Sequence, residues 1–109
     1  MKSGIQELAM ITVAQIDYGD PLQFEVRVEH GGGATEHLVS LSRADFDRMT
    51  SGDYKPSVVV EAAFHFLLDH EPKESILSRF DINVISRYFP EFESVLPRYI
   101  ESTRKLDLS

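Results

Sequence analysis

Two carboxylates and an imidazole recur at helical spacing in the most apolar part of the chain. Glu61, His65 and Asp69 stand four residues apart, so a helix would align them in one stripe. Carboxylate and imidazole groups are common ligands of zinc and iron, so the stripe offers a metal site and, with it, a small metal-dependent or ligand-binding enzyme. No second His-rich segment and no H-E-x-x-H pattern completes the ligand set, which favours a solvated or hydrogen-bonded polar stripe.

A glycine-rich run with a histidine on either side is the second candidate site. Residues 30–37 read HGGGATEH, and the backbone amides of such a loop can bind phosphate. Phosphate loops, however, open a helix and carry a lysine followed by serine or threonine, whereas this run lies between two predicted strands. The sequence therefore favours a flexible hairpin turn.

Residues 74–89 can be interpreted as a helix-turn-helix, the third candidate. The second helix would offer Asn83, Ser86 and Arg87 to the bases of DNA. The connection around Asp81 is shorter than the usual three- to four-residue turn, and the chain lacks a basic surface. Nucleic acid is therefore an unfavoured partner.

Aromatic residues crowd the last third of the chain, and most of them are expected to pack in the core. Tyr88 and Tyr99 each carry a hydroxyl group that requires water or a hydrogen-bond partner. We therefore expect both tyrosines at the edge of the core. This edge is the predicted binding surface. Nucleophilic catalysis has less support, because the chain has no cysteine and none of its serines lies in a G-x-S-x-G motif.

The composition limits the class of protein. A chain of 109 residues fits a single domain, residues 1–109, with one hydrophobic core. A formal charge of −7 repels phosphate backbones and anionic lipids. The first ten residues lack an apolar run of signal-peptide length, and no stretch approaches the ~20 apolar residues of a membrane span. We therefore expect a cytoplasmic protein that does not enter a membrane.

The elements that must position these candidates follow from periodicity. Residues 10–17 are rich in β-branched residues, and apolar residues alternate in 22–29 and 35–41; together the three segments predict a three-stranded antiparallel β-meander. From Ser42 the period becomes helical. Predicted helices cover a short segment after Ser42 and residues 58–68, 73–80, 82–89 and 91–103, with Pro97 expected to kink or split the last one. The fold class is therefore α+β, a meander followed by a bundle of four to five short helices.

The helix predicted over residues 58–68 (VVVEAAFHFLL) is apolar on nearly every side. Such a helix must be enclosed. Either it runs through the centre of its own domain, or it packs against a second copy of the chain. The second alternative predicts a homodimer.

Two longer motifs resemble a known family. The run FLLDHEPKESILSRFDINVISRYFPEFE, residues 66–93, and the run LVSLSRADFDRM, residues 38–49, resemble a family of short uncharacterised bacterial proteins. That family has no established function, so the resemblance implies no activity, cofactor or catalytic residue. The sequence as a whole favours a small protein-binding or regulatory module without catalysis or cofactor, whose partner is another protein or a second copy.

Overall fold

A four-stranded sheet forms the N-terminal half of the fold. The computed structural model describes residues 9–51 and 54–108. The sheet has the order β1-β2-β3-β4, in which the first three strands are antiparallel and β4 runs parallel to β3. Its strands are β1 (Met10–Asp17), β2 (Leu22–His30), β3 (Gly33–Leu41) and β4 (Arg79–Asp81). The predicted antiparallel meander is confirmed, but it belongs to a larger mixed sheet.

The alternation of β2 gives the sheet one dry face and one wet face. Four apolar side chains of β2 are at most 2% exposed: Leu22, Phe24, Val26 and Val28. The residues between them point to the opposite face, where the Arg27 guanidinium binds Glu36 at 2.8 Å and Glu29 at 3.4 Å. Only the dry face can therefore receive helices.

The glycine-rich run is a tight hairpin turn that joins β2 to β3. His30 pairs with Gly33 across the ladder, and Gly31 and Gly32 between them have φ angles of 68° and 84°. Two-residue hairpin turns of this kind need positive φ at both positions, which glycine adopts without a steric penalty. The predicted hairpin is confirmed, although β3 begins two residues before its predicted start.

Four α-helices follow within the described part of the chain: α1 (Arg43–Thr50), α2 (Pro56–His70), α3 (Ile85–Tyr88) and α4 (Phe92–Leu108). The Ser42 hydroxyl accepts a hydrogen bond from the Asp45 N–H at 3.0 Å, which confirms the predicted start of α1. Pro97 does not split the last helix, because α4 continues through it. Pro97 is exposed while Leu96 and Ile100 are buried, so water can satisfy the carbonyl that the proline leaves without a donor.

Helix α2 runs through the centre of the fold. Seven of its residues are buried, among them Phe64 and Phe66, and it packs against β1 on one side and α4 on the other. Its own chain therefore supplies the enclosure that its apolar surface requires. The reason for expecting a dimer through residues 58–68 is thereby removed, and the oligomeric state stays a prediction. Within the described residues, no helix is both long enough and apolar enough to span a membrane.

The helix predicted over residues 73–80 is wrong. A 3₁₀ turn (Lys73–Ser75) is followed by β4, and a second 3₁₀ turn (Ile82–Val84) leads into the single turn of α3. The cause is a tertiary contact. Residues 79–81 pair with β3 as a parallel strand, with Val39 opposite Phe80, and a backbone paired in this way cannot be helical. The first helix of the proposed helix-turn-helix therefore does not form.

Candidate functional site

A groove lined by apolar side chains opens between the C-terminal half of α2 and the segment that follows it. It encloses about 270 Å³, and all of its lining residues come from residues 67–89. Leu67, Ile76 and Ile85 are buried and form its floor. One stretch of chain thus folds back on itself to build the whole site, which we call the apolar groove.

Two large apolar side chains of the groove remain exposed. Leu77 is 52% exposed and Tyr88 is 69% exposed, and both line the cavity. An exposed aromatic and an exposed aliphatic side chain beside an apolar cavity are typical of binding surfaces. Tyr88 was predicted as a binding residue, and the structure places it here.

The residues with polar side chains that line the groove are Glu71, Ser75 and Tyr88. The Glu71 N–H is used to close α2, since it donates to the Leu67 carbonyl at 2.9 Å. Its carboxylate makes no ion pair with any residue in the described part of the chain. The groove therefore offers a negative charge to a ligand next to an apolar cavity.

A buried histidine ties the groove to the sheet. His37 is 4% exposed; its Nδ1 lies 2.7 Å from the Leu77 carbonyl oxygen, and its Nε2 lies 2.8 Å from the Thr35 hydroxyl. A carbonyl only accepts, so Nδ1 carries the proton, and in the neutral ring Nε2 accepts from Thr35. This pair of hydrogen bonds fixes the backbone at Leu77, whose side chain stands at the mouth of the groove.

Two further contacts from β3 hold the same wall. The Leu38 N–H donates to the Ser78 carbonyl at 2.8 Å, and the Ser40 hydroxyl donates to Asp81 Oδ2 at 2.6 Å. Asp81 Oδ1 in turn accepts from the Asn83 N–H at 3.0 Å and caps the second 3₁₀ turn. The groove is therefore positioned by polar contacts to the sheet as well as by packing.

The other wall packs against a cluster of tilted and edge-on aromatic rings. Phe89, which lines the groove, meets the His70 ring at 5.0 Å and the Phe66 ring at 5.6 Å between centroids. His70 Nδ1 lies 2.8 Å from the Phe66 carbonyl, and its Nε2 lies 3.7 Å from Glu91. These contacts hold Phe89 in place from the side that faces α2.

Tyr99, the other predicted binding residue, does not line the groove. Its hydroxyl donates to Asp69 Oδ2 at 2.6 Å, and its ring packs edge-on against Phe66 at 5.5 Å. Burial and the hydrogen bond to Asp69 raise the pKa of Tyr99 to about 12. The structure thus uses Tyr99 to join α4 to the end of α2.

The predicted metal stripe is only partly brought together. His65 Nε2 and Glu61 Oε2 lie 3.7 Å apart, but the Asp69 carboxylate is engaged by Tyr99. Among residues 9–51 and 54–108, no group of three or more histidine and acidic side chains is placed to hold a metal ion. The geometry therefore gives the Glu61, His65 and Asp69 hypothesis no three-ligand site.

The candidate phosphate loop has a basic neighbour that is already engaged. A Cβ at Gly33 would lie 3.7 Å from the Lys73 Nζ, so the lysine reaches the hairpin. Its ammonium group donates to Glu74 at 2.7 Å, and this bond lowers the pKa of the Glu74 carboxyl. The Lys73 ammonium group therefore already has an ion-pair partner, Glu74.

The sequence did not identify Leu77 as a site residue, because residues 73–80 were predicted to form a helix, in which Leu77 would lie beside Ile76 and Phe80 among the apolar residues. Ile76 and Leu77 are adjacent, and in an extended backbone adjacent side chains point in opposite directions. Ile76 is indeed buried and Leu77 exposed. The exposure of Leu77 could have been predicted only if residues 76 and 77 had first been identified as extended backbone.

Comparison with known proteins adds no family to this description. Neither a family model, nor a curated protein, nor a solved structure matches the chain. The resemblance of residues 66–93 to short bacterial proteins remains a prediction. Function is therefore inferred from the geometry of the groove.

Proposed function

We propose that this protein is a protein-binding or regulatory module without catalytic activity, and that its partner inserts a large apolar side chain into the apolar groove. One observation carries the proposal: Leu77 and Tyr88 are exposed at the mouth of an apolar cavity. At about 270 Å³ the cavity lies just below the ~300–1,000 Å³ of small-molecule pockets. It suits the apolar anchor residue of a protein partner.

The charge of the groove indicates what should flank that anchor. Glu71, an acidic residue, lines the cavity, and the chain carries a formal charge of −7. Both favour a partner segment with a lysine or arginine next to its apolar anchor, since complementary charge speeds association and fixes orientation. The proposed ligand is therefore a basic, apolar peptide segment of another protein.

The composition of the groove supports binding over catalysis. Its polar residues include Ser75, Glu71 and Tyr88, and no histidine or lysine lines it. A serine nucleophile is usually activated by an adjacent histidine or lysine base. Ser75 has no such partner among the residues that line the cavity.

Selection from a randomised peptide library displayed on phage tests the proposal. We expect enrichment of peptides with a large apolar residue beside lysine or arginine, and at least a tenfold loss of their affinity on Tyr88→Ala. Tyr18→Ala is the matched control, because Tyr18 is 70% exposed and lies outside the groove. Enriched peptides that bind both variants equally would place the binding surface elsewhere.

The charge can be tested separately. Glu71→Gln should weaken the enriched peptides and reduce the salt dependence of their binding, because an ion pair is lost. Glu25→Gln removes an exposed carboxylate of β2, outside the groove, and should change neither quantity. Equal effects of the two substitutions would show that only the overall charge matters.

We further propose a cytoplasmic location. The chain has no cysteine, so its folding needs no oxidising compartment. A fluorescent fusion imaged in the source cells would test this, and signal at the cell envelope would contradict it.

A further inference from the structure

The outer edge of β1 is a second surface, distinct from the apolar groove. β1 stands at one end of the sheet, and no other strand of the described chain pairs with its outer side. It is eight residues long, whereas β4 at the opposite edge has three. Long edge strands are normally protected by charges, prolines or covering elements, because their free N–H and C=O groups pair with other strands.

β1 lacks most of these protections. Residues 10–16 read MITVAQI and include neither a charged residue nor a proline. Met10 is 62% exposed and Ile16 is 48% exposed. Ile11 and Val13, on the dry face, are only partly buried. The strand is therefore an apolar edge that the described part of its own chain covers only incompletely.

We propose that β1 of one copy pairs antiparallel with β1 of a second copy, so that the two sheets join into one. Residues directly opposite each other in an antiparallel pair share a face of the sheet. A two-fold axis must then pass through a residue position and not between two residues. With the axis at Val13, Met10 lies opposite Ile16 of the second copy, and Thr12 lies opposite Ala14.

Self-complementarity is the reason for choosing a second copy as the occupant. This register places the two exposed large apolar side chains of the strand, Met10 and Ile16, against each other. It also adds cover to Ile11 and Val13 on the dry face. Although each chain carries a charge of −7, no charged residues of the two strands lie opposite each other within residues 10–16.

A bulge at the end of β1 sets the limit of this pairing. The register with β2 shifts between Gln15 and Asp17, and such shifts bend an edge strand. The regular ladder therefore ends at Gln15; Ile16, the extra residue of the bulge, meets Met10 at its end, and the charged Asp17 stays outside it. A two-fold axis normal to the sheet also leaves both copies of α2 on the same face.

Light scattering of the full chain at micromolar concentration tests the dimer. We expect twice the mass of one chain, and a monomer for the double variant Thr12→Lys with Ala14→Lys, which places lysines opposite one another. Ala34→Lys is the control, because it adds a charge at an exposed position of β3, away from the edge. Wild-type protein that is monomeric throughout, or a dimer that survives the double variant, would overturn the proposal.

Charge exchange provides a test that misfolding cannot imitate. A variant with glutamate at both positions should also be monomeric, and mixing it with the lysine variant should restore a dimer through opposite charges. Both variants should bind groove peptides with wild-type affinity, and Tyr88→Ala should leave the dimer intact. A failure here is therefore distinguishable from a failure of the proposed function. If the mixture stays monomeric, edge pairing is refuted.

The absence of cysteine allows the register to be read directly. Opposite residues of antiparallel strands have Cα separations compatible with a disulfide. Val13→Cys should therefore crosslink with itself under mild oxidation, and Met10→Cys should crosslink with Ile16→Cys in a mixture. Preferential self-crosslinking of Thr12→Cys would overturn the register.

Discussion

Helix α2 and the segment that follows it are both rich in apolar residues, yet their side chains have different fates. In α2, Val59, Ala63 and Phe64 are completely buried, whereas Leu77 and Tyr88 of the later segment are more than half exposed. The backbone N–H and C=O groups of the two regions also find their hydrogen-bond partners in different ways. A helix makes its hydrogen bonds internally, so any side of α2 can face the core, while residues 73–89 depend on contacts with β3.

This difference in burial assigns the two regions different roles: α2 stabilises the fold, and the later segment is available for binding. Burial of α2 supplies packing on several sides, and the fold depends on it. The later segment contains two 3₁₀ turns, a three-residue strand and one helical turn, so it makes few regular hydrogen bonds of its own. It is the region in which exposed apolar side chains can serve a partner at little cost to the core.

The largest expected effect is at the centre of α2. Phe64→Ala should lower the free energy of unfolding by about 3–5 kcal/mol, because the side chain is completely buried and its removal leaves a cavity. Leu77→Ala, in the groove, should stay within about 0.5 kcal/mol. Urea unfolding followed by circular dichroism gives both values. Similar losses for the two variants would mean that the groove is part of the core.

The next effect is at the link between the two regions. His37→Phe should destabilise the protein by about 1–3 kcal/mol, because it leaves the Leu77 carbonyl and the Thr35 hydroxyl without their partner. Hydrogen exchange should rise most at residues 76–81. Thr35→Val breaks only the Nε2 contact, so a smaller change confined to β3 is expected. If both variants loosen residues 76–81 equally, the Leu77 bond does not hold the groove.

The same contrast explains what the sequence could predict. Strand β2 and helix α2 carry their own periodicity, so the meander and the central helix were predictable from residue order alone. β4 was not, because residues 79–81 become a strand only when Leu38 and Val39 of β3 are beside them. Local patterns favoured a helix there, and a non-local pairing prevailed.

The candidate site was predictable only in part, for a related reason. The Tyr88 ring could be placed at an edge because of its hydroxyl, and it does line the groove. Tyr99 satisfied the same rule by binding Asp69, a partner 30 positions away in sequence. A hydroxyl that needs a partner predicts an edge, but it does not tell whether that partner belongs to the same chain.

A smaller effect is expected at the hairpin between β2 and β3, which the later segment approaches through Lys73. Gly31→Ala should cost about 1–2 kcal/mol, because its φ of 68° is unfavourable for an L side chain although no atom lies within 4 Å of the new Cβ. Gly33→Ala has no such φ and meets Lys73 at an ordinary contact distance of 3.7 Å. It should stay within about 0.5 kcal/mol. Thermal unfolding of both variants checks the order; a larger loss at Gly33 would show that the contact with Lys73 is the sensitive one.

The smallest effect is expected at the bond between α4 and the end of α2. Tyr99→Phe removes the hydrogen bond to Asp69 and should cost about 0.5–1.5 kcal/mol at neutral pH. Tyr18→Phe, at a 70% exposed tyrosine, is the control and should change nothing.

The pH dependence of the same variant identifies the bond. The pKa of Tyr99 is raised from the ordinary 10.0 to about 12 in the folded state, so between these values the unfolded chain has lost the phenol proton and the folded chain has kept it. Stability from this group is therefore complete below pH 10 and falls as the pH rises towards 12. Urea midpoints measured across this range should fall more steeply for the wild type than for Tyr99→Phe. Parallel curves would mean that Tyr99 titrates alike in both states, and that its hydrogen bond to Asp69 does not stabilise the contact between α4 and the end of α2.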